Sequence, residues 1–363
     1  MLRLHTDEGI VGVGEAGVQT QYLGDTPAHI MALWERWWPA LRGQDPFRIG
    51  ALHQTMKTPY AGYKVAEAAV DEALYDIVGQ ALGQPVYRLL GGGFRTQIEL
   101  FGTVGYAGID VEPLQAMTWR ERTPELLLEQ AKAFMRAGHR GIELKAGGYP
   151  ATNAYVRGRI KLIGQVLDVV PPEVQIVVDL NQGWDVVTTI NVFGQFRGVP
   201  NLAIEQPIPH LNIGGLAQIK RALDLPLIAD EAAMSPEAIV ELARAEAADG
   251  INLKINRAGG IYPALRMIAT AEAAGMQVHI DYTPLTKIGD TVNAHVATQI
   301  RQNTPHALDG YTWFDERALG DMGITYQDAR AQVPAAPGLG IDITDEALAP
   351  LRSELPVRVL AGT

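Results

Sequence analysis

Gly141-Ile142-Glu143-Leu144-Lys145, followed by Ala146-Gly147-Gly148, reads as a short apolar strand that ends on a lysine and breaks on glycines. The pattern recurs. Asp179 closes a strand at 174–178, Glu205 one at 201–204, Asp230 one at 225–229 and Lys254 one at 250–253. The spacings between these charged residues are 34, 26, 25 and 24. A parallel strand, its loop, a covering helix and the return loop take up about that many residues. The five groups therefore lie at the same end of five consecutive parallel strands, as a ring of Lys, Asp, Glu, Asp and Lys.

The rhythm extends on both sides. Strands are predicted near 98–103, 276–281 and 306–309, and helices near 124–137, 154–169, 186–197, 214–223, 236–248, 260–274 and 288–301. Eight such strands predict an α/β fold, a modified (β/α) TIM-type barrel. An open doubly wound sheet is the alternative, but it would not bring consecutive strand ends round a common axis. Ahead of the barrel come a hairpin at 2–14, a helix at 25–38 stopped by Pro39, and a helix at 64–82. Residues 333–343 form a loop and short strand that turn back. We expect an α+β capping domain formed by the N-terminal region 1–95 and the C-terminal tail 326–363, with the barrel over 96–325. The chain begins inside the hairpin, so a preceding strand is expected to be missing.

Composition narrows the function. The 363 residues carry a net charge of −11 and no cysteine. No basic patch is present to neutralise phosphates or an anionic membrane surface, so nucleic-acid and membrane partners are not expected. Disulfides, thiolate catalysis and cysteine-ligated zinc are excluded. No apolar run or leader pattern points to secretion, which fits a cytoplasmic protein. Gly12-Val13-Gly14-Glu15-Ala16-Gly17 matches a dinucleotide fingerprint, but no apolar helix follows, so it is read as a glycine-rich turn. Ser235 and Ser353 lie in no nucleophile elbow, and His279 and His295 are read as packing or cap residues.

The ring itself carries the chemistry. Three carboxylates at a barrel mouth cannot all stay ionised unless a cation shares the site. Oxygen ligands without His or Cys favour Mg²⁺ over Zn²⁺. Asp179, Glu205 and Asp230 are the candidate ligands. Lys145 and Lys254 flank them, and burial beside a cation would lower a lysine pKa towards the range of a general base. Structural lysines salt-bridged to the ligands are the alternative. The reaction implied is removal of a proton α to a carboxylate, with the resulting enediolate stabilised by the cation.

With these residues the chain resembles the enolase superfamily, in its mandelate racemase/muconate-lactonising branch. The likeness rests on Gly9-Ile10-Val11-Gly12-Val13-Gly14-Glu15, on Ala68 to Ile77 with Leu89-Leu90-Gly91-Gly92, and on the barrel motifs Asp179-Leu180-Asn181, Glu205-Gln206-Pro207, Asp230-Glu231 and Lys254 to Gly260. The resemblance implies Mg²⁺ on Asp179, Glu205 and Asp230 and an acid/base pair of Lys145 and Lys254. It further implies that Glu231 partners Lys254, that Asn181 supports the site, and that the loop near Gln19–Gly24, including Tyr22, touches substrate. Relatives commonly assemble, so a homo-oligomer is expected. The chain departs from the branch at Glu143, where a second lysine is common, and at Leu285, near the place of a usual glutamate.

Asp281 and Trp313 together would suit a cationic nitrogen, an arrangement similar to members acting on proline betaines. A loop cap and a packing residue are the alternative reading of the pair. The small-molecule carboxylate substrate is thus expected to be an amino acid or a betaine, and the reaction two-base racemisation or epimerisation. A β-eliminating dehydratase and a muconate-type cycloisomerase use the same first step and stay open. A non-catalytic metal-binding barrel is the reading from a different class.

Overall fold

The computed structural model describes residues 1–18, 24–57, 63–105, 123–147, 153–281, 283, 285–308 and 322–344. Its largest sheet has seven strands, all parallel and in sequence order: β4 (Phe101–Val104), β5 (Gly141–Lys145), β6 (Gln175–Asp179), β7 (Leu202–Glu205), β8 (Leu227–Ala229), β9 (Gly250–Leu253) and β10 (Gln277–Ile280). The sheet curls until its edges nearly meet. His306 N–H donates to Glu99 O (2.8 Å), Phe101 N–H donates to His306 O (2.9 Å) and Ala307 N–H donates to Ile280 O (2.9 Å). Residues 306–307 thus bridge β10 to β4 as the eighth stave. They form bridges rather than the predicted strand at 306–309, of which residue 309 lies outside the described residues. The strand predicted at 98–103 is also divided. Leu100 bridges to His306, separating β4 from β3 (Gln97–Glu99), which pairs instead with β12 (Arg330–Gln332) beside β11 (Thr325–Gln327).

Alternation along each strand sorts the side chains. Ile142, Leu144, Ile176, Val178, Ile204 and Leu253 belong to the large core, on the helix-facing side. Phe101, Val177, Ala203, Ile228 and Ala307 form a separate buried cluster inside the barrel. Asp179, Glu205 and Asp230 stand two residues beyond Val177, Ala203 and Ile228, so they share the inward direction and crown that cluster.

The N-terminal region contributes the hairpin β1 (Leu2–His5) and β2 (Val11–Gly14) and the helices α1 (Pro27–Leu41), α2 (Ile49–Lys57), α3 (Lys64–Leu82) and α4 (Val86–Leu89). Pro39 does not stop α1 as predicted. It lies in the last turn, and the helix runs on to Leu41. Helix α3 is buried from Val65 to Gly79. Its carboxylates accept main-chain donors from the surrounding segments: Asp76 from Val13 N–H (3.0 Å) and Leu339 N–H (2.8 Å), Glu72 from Glu15 N–H (2.8 Å), and Asp71 from Ile261 N–H (2.5 Å). Gly338 and Leu339 of the tail therefore lie against α3.

The glycine pattern at 12–17 is explained by packing. A Cβ on Gly12 would stand 2.1 Å from Ala73 O, and one on Gly14 would stand 2.0 Å from Ala69 O. The hairpin approaches α3 so closely that only glycine fits. Gly14→Ala is expected to destabilise the protein by about 3 kcal/mol, the upper range for overpacking. Urea unfolding would read this as a lowered midpoint, and an unchanged midpoint would refute the close-packing account.

The barrel helices among the described residues begin with α5 (Pro124–Arg136), α6 (Asn153–Val169), α7 (Val186–Phe193), α8 (Ile213–Ala222) and α9 (Pro236–Arg244). They are followed by α10 (Ile255–Ala258), α11 (Ile261–Ala273) and α12 (Lys287–Ala297). Ser235 caps α9, accepting from Ala238 N–H at 3.2 Å. No helix among the described residues is long and apolar enough to cross a membrane.

His295 of α12 accepts a hydrogen bond from Tyr87 N–H at Nδ1, and burial pulls its pKa down to about 4. A histidine held neutral in the fold contributes stability that is present above its unfolded pKa, near 6.5, and is lost as pH falls towards 4. His295→Gln should remove that component. Between pH 6.5 and 4.5 the variant is expected to lose roughly 2 kcal/mol less stability than the wild type. Denaturant melts at both pH values would show it, and identical pH dependence in the two proteins would exclude this role.

Candidate active site

Each ring residue sits at or just beyond a strand end because the apolar file of its strand stops there. Lys145, Asp179 and Glu205 are the last residues of β5, β6 and β7, while Asp230 and Lys254 directly follow β8 and β9. Lys145 pairs across the ladder with Asp179, and Asp179 with Glu205. The three carboxylates are fully buried.

The two lysines are held in parallel ways. Lys145 Nζ donates to Asp179 Oδ2 at 2.7 Å and also contacts Glu143. Lys254 Nζ donates to Asp230 Oδ2 at 2.6 Å and forms an ion pair with Asp281 at 2.5 Å. Arg257, on the first turn after Lys254, donates to Asp230 Oδ1 at 2.6 Å. Burial alone would raise the Asp230 pKa, but Arg257 and Lys254 outweigh it and hold the carboxyl below its usual range.

Glu205 stands between these pairs without one. Both its oxygens are buried and have no hydrogen-bond partner among the described residues. Burial, then the charges of Asp179, Glu143 and Asp281, push its pKa well up. An orphaned buried carboxyl beside other carboxylates is what a cation would satisfy. Ligand atoms of Glu143, Glu205 and Asp281 all lie within 4.8 Å of one another. Of the predicted ligands this group contains only Glu205, while Asp179 bonds to Lys145 and Asp230 to Lys254 and Arg257; an oxygen-only donor set of this kind fits a hard divalent cation.

Backbone strain clusters at the same rim. Asn181, Gln182 and Gln206 adopt left-handed backbone at φ 42°, 62° and 29°. Such conformations cost of order 1–3 kcal/mol each and persist where surrounding bonds fix them. Those bonds are present. Asn181 donates to Asp179 from its backbone N–H (2.8 Å) and from Nδ2 (2.6 Å). Gln206 Oε1 accepts from Asp230 N–H and Ala232 N–H, both at 3.0 Å. Gln206 thereby ties the strand of Glu205 to the backbone of Asp230.

Several expectations are revised. Among the described residues Glu231 forms no direct ion pair with Lys254, although the Lys254 charge bears on it. That place is taken by Asp230 and Asp281, while both Glu231 oxygens are buried without a hydrogen-bond partner among the described residues. Burial and the neighbouring Asp230 and Asp179 push Glu231 up to about 7. Asp281 is not a free anion awaiting a ligand, since it pairs with Lys254. Tyr22 and Trp313 lie outside the described residues.

Glu143, noted in the sequence only as a departure, belongs to the cluster. Burial pushes it up to about 8, opposed by the charge of Lys145. The signal was available, because residues two apart on a strand face the same way. The role of Arg257 could have been read from its place three residues after Lys254 at a helix start.

Comparison with known proteins shows the family. Residues 126–347 match the family described as enolase C-terminal domain-like, and residues 1–91 match the mandelate racemase/muconate lactonizing enzyme N-terminal domain. An N-succinyl-L-Arg/Lys racemase of Bacillus cereus is 31% identical over 96% of this chain and 88% of its own length. An L-Ala-D/L-Glu epimerase of Bacillus subtilis is 30% identical over 94% of this chain and 88% of its own length. The crystal structure of the muconate lactonizing enzyme from Pseudomonas putida superposes with a TM-score of 0.83 at 28% identity, over 96% of this chain and 93% of that one.

Proposed function

Because the chain belongs to the mandelate racemase/muconate lactonizing enzyme family of the enolase superfamily, we propose that it is a Mg²⁺-dependent racemase or epimerase acting on an amino-acid or betaine carboxylate. The observation that carries this reading is the symmetric holding of Lys145 and Lys254, each on a strand-end carboxylate, with Glu205 between them lacking a hydrogen-bond partner among the described residues. β5 and β9 are four staves apart in the strand order. In a ring of eight staves such positions face one another across the mouth.

Asp179, Glu205 and Asp230 are the residues we assign to the metal. Lys145 has a second carboxylate in Glu143, and Lys254 has one in Asp281. Asp179 and Asp230 can thus turn to a cation without leaving either ammonium unpaired. When bound, the cation would offset the carboxylate charge and stabilise the negative charge that develops on the substrate carboxylate as its α-proton leaves. The lysine acting as base first passes one ammonium proton to solvent and then, as the free amine, takes the α-proton. The opposite lysine keeps its ammonium form, through its carboxylate partner, and delivers a proton to the other face. In the reverse direction the roles exchange.

The charge of the site supports the substrate class. Glu143, Asp179, Glu205, Asp230, Glu231 and Asp281 are all buried, against the cations Lys145, Lys254 and Arg257. Although burial pushes Glu143 and Glu231 up towards neutral pH, carboxyl groups still outnumber cationic side chains six to three. That favours a substrate with one carboxylate and a cationic nitrogen over a dianion. The two curated relatives described above are a racemase and an epimerase of amino-acid derivatives. Screening single enantiomers of amino acids, N-acyl amino acids, dipeptides, betaines and muconate in D₂O with Mg²⁺, by loss of the α-proton NMR signal, tests the class. Exchange confined to substrates with a cationic nitrogen is expected. Exchange confined to dianions would reverse the assignment, and release of water with an oxo product would place the chain among dehydratases.

A further inference from the structure

Glu15 and Asn256 join the N-terminal hairpin to two of the barrel's charged strand ends. Glu15 directly follows β2 and is buried. Its carboxylate accepts from Thr286 N–H (2.9 and 3.1 Å), Thr286 Oγ1 (2.8 Å) and Gly289 N–H (3.0 Å). Thr286 is the N-cap of α12, where a carboxylate satisfies free main-chain donors and the helix dipole together. The loop that α12 closes begins at Asp281, the partner of Lys254.

Asn256 lies two residues after Lys254 and is buried. It treats the hairpin exit as a strand would. Its Nδ2 donates to Glu15 O at 2.7 Å, and its Oδ1 accepts from Gly17 N–H at 3.0 Å. The side-chain amide thus copies a peptide group and fixes residues 15–17 against the Lys254 turn. A Cβ on Gly17 would stand 2.5 Å from Leu285 Cδ2, so the segment is also packed on the loop after Asp281.

We infer that Glu15 and Asn256 are positioning residues that form a latch, setting the Lys254 side of the mouth from the capping hairpin while leaving the Lys145 side untouched. Among the described residues, no hydrogen bond runs from this latch to β5 or β6. The catalytic consequence rests on the two-base reading above. The mechanical one does not. Loosening the latch should displace Lys254 and Asp281 together, because Glu15 holds both ends of the connection, and should impair one face of the substrate only.

The test uses Asn256→Ala and Glu15→Gln in the full chain, with two readouts. Amide hydrogen exchange is expected to quicken at Thr286 and Gly289 in Asn256→Ala, although Asn256 hydrogen-bonds to neither among the described residues, and at residues 254–258 in Glu15→Gln. Unchanged protection at these remote amides would overturn the latch whatever the substrate proves to be. Face-specific deuteration of an active substrate then uses Lys145→Ala to mark the face served by Lys254. Exchange on that face is expected to fall about tenfold or more relative to the other, since small misplacements of a reacting group have effects of this size. An equal fall on both faces would reduce the pair to general scaffolding and overturn the proposal. If the wild type exchanges no substrate, the proposed function fails, and the amide measurement still decides the latch.

Discussion

Lys254→Ala abolishes racemisation but leaves α-proton exchange from one enantiomer. This is the expected result of two bases on opposite faces, because the remaining Lys145 can still remove and return a proton on its own side. Loss of a positioned general acid/base lowers a rate about 10²–10⁴-fold, so the affected face should fall by that amount. Lys145→Ala should give the mirror outcome. The lysines have different surroundings: Glu143 and Asp179 hold Lys145, whereas Asp230 and Asp281 hold Lys254. The two variants therefore need not be equally slow. Chiral chromatography combined with NMR detection of α-deuteration separates the faces. If either variant still racemised at the wild-type rate, the lysine would be a structural ion-pair partner only.

Glu205→Gln has the second large effect, and it moves stability and activity in opposite directions. Glu205 is a fully buried acid whose oxygens find no donor among the described residues, and Asp179, Glu143 and Asp281 all disfavour its charge. A glutamine of the same shape is neutral without taking up a proton on folding, and it brings two donors towards carboxylates. The metal-free melting temperature should rise. The rise in melting temperature on adding Mg²⁺ to the wild type should vanish, because binding to the native state is what produces it. Activity should fall about 10³-fold or more, equivalent to about 4 kcal/mol of lost charge stabilisation. Thermal melts with and without Mg²⁺ supply both readings. A Glu205→Gln protein that kept its Mg²⁺-dependent shift would show that Glu205 is not a ligand. The same melts on Asp179→Asn and Glu143→Gln distinguish the assigned ligands from the neighbouring Glu143, Glu205 and Asp281 group.

The barrel and its ring were legible in the sequence because apolar strands ending on Lys145, Asp179, Glu205, Asp230 and Lys254 recur at near-constant spacing. Spacing fixes which end of the sheet a residue occupies. It does not fix which oppositely charged neighbour a long side chain selects. The pairing of Lys254 with Asp281 was therefore hidden, since it depends on the register that sets Ile280 of β10 opposite Leu253 of β9. Glu143 was read through family likeness instead of through its own alternation with Lys145, which places it on the inward face. The Gly12–Gly17 motif shows the converse. Its glycines carry a packing message, the approach of β2 to Ala69 and Ala73, that a local motif cannot express because the partner lies some sixty residues away. The roles of Gln206 and Asn256 depend on side-chain amides bridging different elements, and nothing in the local sequence announces such bridges.

The most direct test of the two-base account follows a single enantiomer of an active cationic-nitrogen carboxylate in D₂O with Mg²⁺ and the unaltered protein, sampled early in the reaction. Removal by one lysine and delivery by the other predicts that the inverted product carries deuterium at the α-carbon while the unreacted enantiomer is still largely protiated. Deuterium appearing in the starting enantiomer with no inverted product would mean that one base serves one face, and would contradict the opposed roles assigned to Lys145 and Lys254.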